Sequence, residues 1–441
     1  MKSRSLSRRK FLEASAFASA PFILPSGIWS AESKPNDKIA IGFIGMGKQN
    51  RGLLNRFMGQ ESAVAVAVCD VDTNRRNAEK ERVDKKYGNT DCAAYSDFRE
   101  VISRKDIDAI CIATPDHWHA VQTIAALDAG KDVYCEKPLT HNIHEALEVM
   151  KAVKRNGRVL QTGSMQRSSR EFRIACELVR NGVIGKIKRA DVNFGGPGVL
   201  CDLPEEKMEP GLDWNRWLGP APERPYNSIL SPRGVHNNYP LWRHYREYGG
   251  GSVTDWGAHH LDIVQWGLGM DESGPVRALP PKDKTATSGA RLIYKGNIPV
   301  LHGAGVGVHF FGEDGEVQVT RGRFSVSLGG KEIAGRLDRE DKTRNLGKEL
   351  DKAEAELLKD AKVKLYDSPG HLPDFLNAMR TRKKPITHEG VGAHSAIACH
   401  LMNLAYYHGQ EIRWNPKKNK FADDSGKAEW LTRDYRGQWK V

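Results

Sequence analysis

Four short apolar runs punctuate the chain between residues 38 and 135: Lys38–Gly45, Ala63–Cys69, Ile107–Ala113 and Lys131–Cys135. Each ends in glycine or a polar residue, and helix-like stretches such as Leu53–Met58 and the run up to Ala129 separate them. Strands alternating with helices predict an α/β fold with a doubly wound parallel sheet, whose ligand-facing residues lie at the carboxyl ends of the strands. Beyond residue 159 the pattern changes. A helix over 171–180 and a strand over 186–194 are followed by residues 195–249, rich in Gly, Pro, Trp and Arg and without periodicity. A long irregular segment in a compact domain is usually functional or a lid. Residues 290–330 alternate as further strands, 336–362 read as an exposed charged excursion, and 372–380 and 393–407 read as helices. The expected division is a nucleotide-binding domain over 38–158, a second α/β domain over 159–416, and a tail, 417–441, that clasps another domain or subunit.

Composition narrows the class. The chain has 441 residues, 39% of them apolar, and a net charge of +12. That excludes a disordered or fibrous chain, and no apolar run reaches the ~20 residues of a membrane span. Seven cysteines without repeated spacing read as packing residues. Residues 1–31 carry five bases, one acid and a mildly apolar stretch, which leaves +8 on the remainder. The string Ser7–Leu12, SRRKFL, resembles a twin-arginine export motif. Cleavage after Ala18-Ser19-Ala20 or near Ala31 fits equally, and a periplasmic or otherwise exported location is expected. Later bases are interleaved with acids, so no nucleic-acid partner is expected.

The first strand runs into GMGKQNRG, Gly45–Gly52. Gly45 suits a tight turn, Gly47 a close backbone approach to a pyrophosphate, and the following helix would point its amino end at that charge. Asn50 replaces the third glycine of the usual spacing. Met46, Asn50 and Arg51 join the glycines as candidate cofactor contacts. Asp70 closes the second strand 25 residues beyond Gly45, where an acid holds a ribose and repels a 2′-phosphate. NAD is therefore expected, while Arg75 and Arg76 leave NADP open. The third strand ends in TPDHWHA, which offers Thr114, Pro115, His117 and His119; the fourth ends in Glu136-Lys137-Pro138.

A fifth element, Thr254-Asp255-Trp-Gly-Ala-His259-His260-Leu-Asp262, reads as a helix continuing to about Trp266. At 100° per residue, Asp255, His259 and Asp262 share one face, so Asp255 can orient the His259 imidazole. Adjacent His259 and His260 diverge too far for shared metal ligation, and no metal is expected.

The ordered set of GxG, strand-end Asp, TPxxxH, EKP and DxxxH resembles the Gfo/Idh/MocA oxidoreductases, over about residues 38–410. The resemblance implies a Rossmann domain followed by an α/β domain with an open mixed sheet. It also implies NAD(P), a sugar or cyclitol substrate, and a homo-oligomer, dimer or tetramer. By the same resemblance Lys137 lies beside the nicotinamide and His259 across the substrate from it. His259 is then the principal acid/base, Asp255 orients it, and Lys137 polarises the reacting oxygen or shares the proton. Glu136, Lys137 and Gln166 complete the expected cofactor set; Arg167, Trp242 and Arg243 join Lys137, Asp255 and His259 at the substrate. The expected activity is hydride transfer between NAD and a secondary hydroxyl of a sugar, glycoside or cyclitol. The alternative is a redox-neutral enzyme whose retained NAD oxidises a ring carbon, allows cleavage, and returns the hydride.

Overall fold

The computed structural model describes residues 38–305 and 307–441. The leader, with its export motif, lies outside them. Among the described residues no helix is long and apolar enough to cross a membrane.

The first layer is a six-stranded parallel sheet. Its strands are β1 (Ile39–Ile44), β2 (Ala63–Cys69), β3 (Ala93–Tyr95), β4 (Ala109–Ile112), β5 (Asp132–Cys135) and β6 (Leu160–Thr162). They lie in the order β3-β2-β1-β4-β5-β6. Helices α1 (Lys48–Phe57), α2 (Thr73–Tyr87), α3 (Phe98–Ser103), α4 (Asp116–Asp128) and α5 (Ile143–Asn156) connect them. The apolar runs are continuous because helices cover both faces of the sheet. Register fixes the site: Ile44 pairs with Cys69 and Ile112, and Ile112 with Cys135. The residues that follow, Gly45, Asp70, Ala113 and Glu136, therefore leave the sheet at one level. Asp72 caps α2 by accepting from Asn74 N and Arg75 N, and Asn142 caps α5 through Glu145 N. Helix α1 has no side-chain cap, because Gly47 starts it. Its first N–H groups are left for a ligand or water.

The second layer is a ten-stranded mixed sheet. It comprises β7 (Arg189–Val192), β8 (Arg277–Leu279), β9 (Arg291–Tyr294), β10 (Ile298–His302), β11 (Val308–Phe311), β12 (Gly315–Thr320), β13 (Arg323–Leu328), β14 (Lys331–Arg336), β15 (Ile412–Asn415) and β16 (Lys420–Phe421). Strand β7 runs parallel to β10 and antiparallel to β11. Helices α6 (Arg170–Arg180), α7 (Trp214–Leu218), α8 (Ser252–Asp255), α9 (Gly257–Leu268), α10 (Leu346–Leu357), α11 (His371–Thr381) and α12 (Glu389–His408) complete the fold. Helix α12 is buried along most of its length and packs against both α5 and α9, joining the two layers.

Three sequence readings are corrected. Residues 336–362 are not simply exposed: they contain α10, whose Leu350 and Ala353 are buried. Leu346, Leu350, Ala353 and Leu357 form a narrow apolar stripe that the surrounding charge conceals. The single helix expected through Asp255 and His259 to about Trp266 is two helices meeting at Trp256. The strand expected over 186–194 keeps only Arg189–Val192.

The segment 195–249 builds a small core of its own around Trp214, Trp217, Tyr226, Leu230, Trp242 and Tyr248. It is pinned to the β2–α2 connection by Thr73 N to Gly211 O (2.9 Å) and Asp213 N to Val71 O (3.0 Å). The tail folds back on its own chain. Trp439 packs edge-on against Trp118 at 4.8 Å between ring centroids, and Arg433 pairs with buried Glu145 at 2.8 Å. All seven cysteines are free thiols, and six are buried.

Candidate functional site

Two cavities adjoin at the carboxyl end of the parallel sheet. The first, of about 100 Å³, is lined by Gly45, Gly47, Asp70, Val71, Thr114, Pro115 and a wall of aromatic residues, Phe98, Trp118, Trp217, Trp242 and Trp439. The second, of about 480 Å³, is lined by Asp116, His119, Glu136, Lys137, Asp255, Trp256, His259 and Arg321 among others. Gln49, Thr114, Tyr239, Trp242 and Arg243 border both.

The first cavity fits a dinucleotide on three observations. Gly45 has φ +84°, and a Cβ on it would lie 2.7 Å from the Thr114 methyl carbon, so only glycine permits this turn. At Gly47 a Cβ would meet nothing within 4 Å, which leaves the uncapped start of α1 open to the cavity. Asp70 accepts from Met46 N (2.6 Å) and Asp72 N (2.8 Å), one bond to each oxygen. Each oxygen keeps a lone pair for a ribose hydroxyl. Burial raises the Asp70 pKa, while Arg75 opposes the rise. Both arginines that could admit a 2′-phosphate have other partners. Arg75 Nε donates to Gly234 O (3.2 Å), and Arg76 Nη1 to Asp70 O (2.8 Å).

In the second cavity Lys137 pairs with the Asp255 carboxylate and also donates to the Asp255 carbonyl at 3.1 Å. Burial works against the Asp255 charge, yet Lys137 and Arg243 hold its pKa below the usual carboxylate value. Arg243 Nε lies 3.8 Å from the same carboxylate, with its guanidinium 4.2 Å over the Trp242 ring. His259 is 5% exposed and lines the cavity. Its Nδ1 is buried without a hydrogen-bond partner, so Nε2 is the nitrogen open to a ligand. Burial first, then the charges of Lys137 and Arg321, push its pKa well below that of ordinary imidazole. That lowering favours the neutral ring, whose open nitrogen can accept a hydrogen bond. Burial likewise raises Asp116 and Glu136, and Glu136 accepts from Gln49 Nε2 at 2.7 Å.

Several expected site residues lie elsewhere. Asp255 does not orient His259, because the turn at Trp256 directs its carboxylate to Lys137. Arg167 reaches neither cavity: it is buried against Asp262 (2.8 Å) and Asp271 (2.8 Å). Gln166 sits behind His259, its amide donating to His259 O (3.1 Å) and accepting from Arg321 Nε (3.3 Å). His117 is fully buried against Trp217, with Nε2 3.0 Å from the Trp217 carbonyl. Asn50 donates to Ile44 O (2.9 Å) beneath the glycine loop, holding α1 against β1 where a third glycine would otherwise allow close packing. Met46 presents only its backbone, since its side chain is in the core. Arg51 pairs with Asn237 of the irregular segment. His119 borders the second cavity but spans from Thr114 O (2.9 Å) to Pro138 O (2.7 Å), bracing two loops.

Sequence reasoning missed other lining residues. Gln49, Asp116 and Trp256 lie inside the motifs themselves. Tyr239, Arg321 and Trp439 carry no motif signal, because only the fold brings the irregular segment, the β12–β13 turn and the tail to this edge.

Known proteins agree with this geometry. Residues 39–164 match the family model "Oxidoreductase family, NAD-binding Rossmann fold", and 187–297 match "Oxidoreductase family, C-terminal alpha/beta domain". An NAD-binding Rossmann domain joined to this second domain defines a class of oxidoreductase. The chain belongs to the Gfo/Idh/MocA family. It is 30% identical to a myo-inositol 2-dehydrogenase of Thermotoga maritima over 41% of this chain and 49% of that protein. It is 27% identical to a glycosyl hydrolase family 109 protein of Shewanella sp. over 36% of this chain and 35% of that one. The chain thus spans about half the length, or less, of these curated relatives. A WlbA dehydrogenase from Chromobacterium violaceum, solved with NADH and UDP-GlcNAcA, shares the fold at TM-score 0.58. That match has 16% identity and covers 88% of this chain and 99% of the other.

Proposed function

We propose that the protein is an exported NAD-dependent oxidoreductase acting on a secondary hydroxyl of a sugar, glycoside or cyclitol. The observation that carries this reading is the convergence of Lys137, Asp255 and His259 on one cavity that shares Thr114 and Arg243 with the glycine-loop cavity. The glycine loop, Asp70 and Thr114 would hold NAD, which supplies the hydride acceptor. Neutral His259 takes the hydroxyl proton at Nε2. Lys137 Nζ, held by Asp255, donates to the reacting oxygen and stabilises the developing carbonyl. Trp256 and Tyr239 offer apolar faces to a sugar ring. Incubating the protein with sugars, glycosides and cyclitols while following nicotinamide absorbance and products tests the reading. Absence of any hydroxyl oxidation with NAD bound would overturn it.

One feature favours a second reading, the redox-neutral cycle. The irregular segment and the tail cover the first cavity: Arg51 and Arg75 hold residues 231–237, Tyr239 donates to Gln49 (3.3 Å), and Trp439 forms part of the wall. The export motif, the covered cavity and the similarity to a family 109 glycosyl hydrolase together support NAD loaded before export and retained through turnover. Protein purified without added nucleotide is then expected to release near-stoichiometric nicotinamide on acid denaturation, whereas empty protein would sink the idea. Glycoside cleavage without net NADH separates the cycle from a dehydrogenase. A dimer or tetramer, read by light scattering, is the expected assembly.

A further inference from the structure

The second cavity carries more positive charge than its own acids neutralise. Arg56, Lys137, Arg243 and Arg321 face Asp116, Glu136 and Asp255, four formal cations against three carboxyls. Two of the three acids are already occupied. Asp255 binds Lys137 and, more distantly, Arg243; Glu136 accepts from Gln49 and from Lys137 N (3.3 Å). Burial raises the Asp116 pKa and favours its neutral form.

Among the described residues two of the cations, Arg56 and Arg321, pair with no carboxylate; Arg56 is exposed and donates to Gly52 O (3.3 Å), which leaves Arg321 as the one withdrawn from water. It sits in the turn between β12 and β13, half-buried, and among the described residues it pairs with no carboxylate. Its guanidinium lies 4.9 Å over the Trp256 ring, and Nε donates to Gln166. Burial without an ion pair lowers its pKa from the usual arginine value. Removing a guanidinium from water is unfavourable unless an anion meets it. Trp256 is 43% exposed at the same place, so its indole still presents apolar surface beside guanidinium donors that meet no carboxylate.

We propose that the substrate is an anionic sugar whose oxyanion binds Arg321 while its ring lies on Trp256. A uronate carboxylate and a sugar phosphate monoester share that chemistry, and the planar fork of arginine suits both. The placement of the reacting hydroxyl toward Lys137 and His259 rests on the oxidoreductase reading; the anion site does not.

The test compares glucose with glucuronate and glucose 6-phosphate, and galactose with galacturonate, each free and as the methyl glycoside. Calorimetric affinity and nicotinamide absorbance are read on the full chain as purified. An acidic member is expected to bind at least about tenfold tighter than its neutral counterpart, a difference that shrinks with added salt. Arg321→Gln is expected to abolish the preference and Arg321→Lys to restore part of it. Preference for the uronates or for the phosphate assigns the oxyanion. Equal or tighter binding of the neutral sugars, no binding of any acidic probe, or an unchanged preference in Arg321→Gln would overturn the inference. If that variant does not fold, a preference insensitive to salt in the unaltered protein overturns it instead. Tight uronate binding without oxidation supports the anion site and defeats the oxidoreductase reading; oxidation of neutral sugars without acid preference does the reverse.

Discussion

The two adjoining cavities share a wall and differ in almost everything else. The first is smaller, walled by indole rings, and sets the buried carboxylate Asp70 and the backbone amides at the start of α1 at its strand-end side, with Asp97, Arg75 and Arg216 also in the lining. The second is nearly five times larger in volume and crowded with side-chain charge. Geometry explains the division. Strand ends deliver backbone groups at a fixed level, which suits a ligand that never changes. Side chains from the irregular segment, from α8 and α9, and from the β12–β13 turn reach the second cavity, which suits a ligand that differs between relatives.

The largest break between the two should come from His259→Ala. Turnover is expected to fall by about 10²–10⁴-fold. NAD affinity, measured by calorimetry, should hardly move, because His259 lines the second cavity only. Near-normal turnover in a folded variant would remove His259 from the chemistry. Asp70→Ser acts on the other side. It removes the acceptor for two loop amides and for the ribose, so NAD should bind about 10- to 100-fold more weakly, with the preference over NADP narrowed. An unchanged NAD/NADP ratio would make Asp70 a strand-end residue and nothing more.

Trp439→Ala should have a gentler effect. Removing part of the indole wall should speed NAD release by about tenfold, with a smaller change in turnover. Stopped-flow displacement of bound NADH measures it, and an unchanged release rate would show the tail to be irrelevant to retention.

The last expectation concerns stability against pH and leaves both cavities untouched. Burial pushes His117 down to about 3 and His260, His371 and His400 down to about 4, the desolvated rings resisting protonation. A depressed folded-state pKa means the unfolded chain takes up the proton first. The contribution is complete above the unfolded value of about 6.5 and is lost as pH falls toward about 4. Each ring adds a slope approaching about 1.4 kcal/mol per pH unit in that window. Thermal unfolding followed from pH 7.5 to 4.5 should show Tm falling steadily; a flat profile would mean these rings are not buried neutral.

The first cavity was far more legible in the sequence than the second. Gly45, Gly47 and Asp70 stand where strand ends must place them, so an apolar run and a glycine identify them without knowledge of the fold. Lys137 and His259 were legible through local motifs, but their partners were not. Helical spacing put Asp255 and His259 on one face, whereas the turn at Trp256 sends the carboxylate to Lys137, 118 positions away in sequence. Arg167 and Gln166 follow a motif-rich stretch, yet their side chains satisfy Asp262, Asp271 and the His259 carbonyl. Arg321 left no trace at all, because a two-residue hairpin turn is given a function only by the helix it happens to overhang.

The tail gives order in time as well as in space. A chain is made from its amino end, so the parallel sheet, whose last strand ends at Thr162, can form before residues 433–441 exist. Until then Phe98 and Trp118 lack the indole that packs on them, and the first cavity has an open side. A nucleotide arriving during synthesis would meet an unfinished wall; one arriving afterwards would meet the indole already in place. If the indole slows departure from the finished protein, it slows filling of any molecule that folded empty as well, and the moment of loading then matters as much as the affinity.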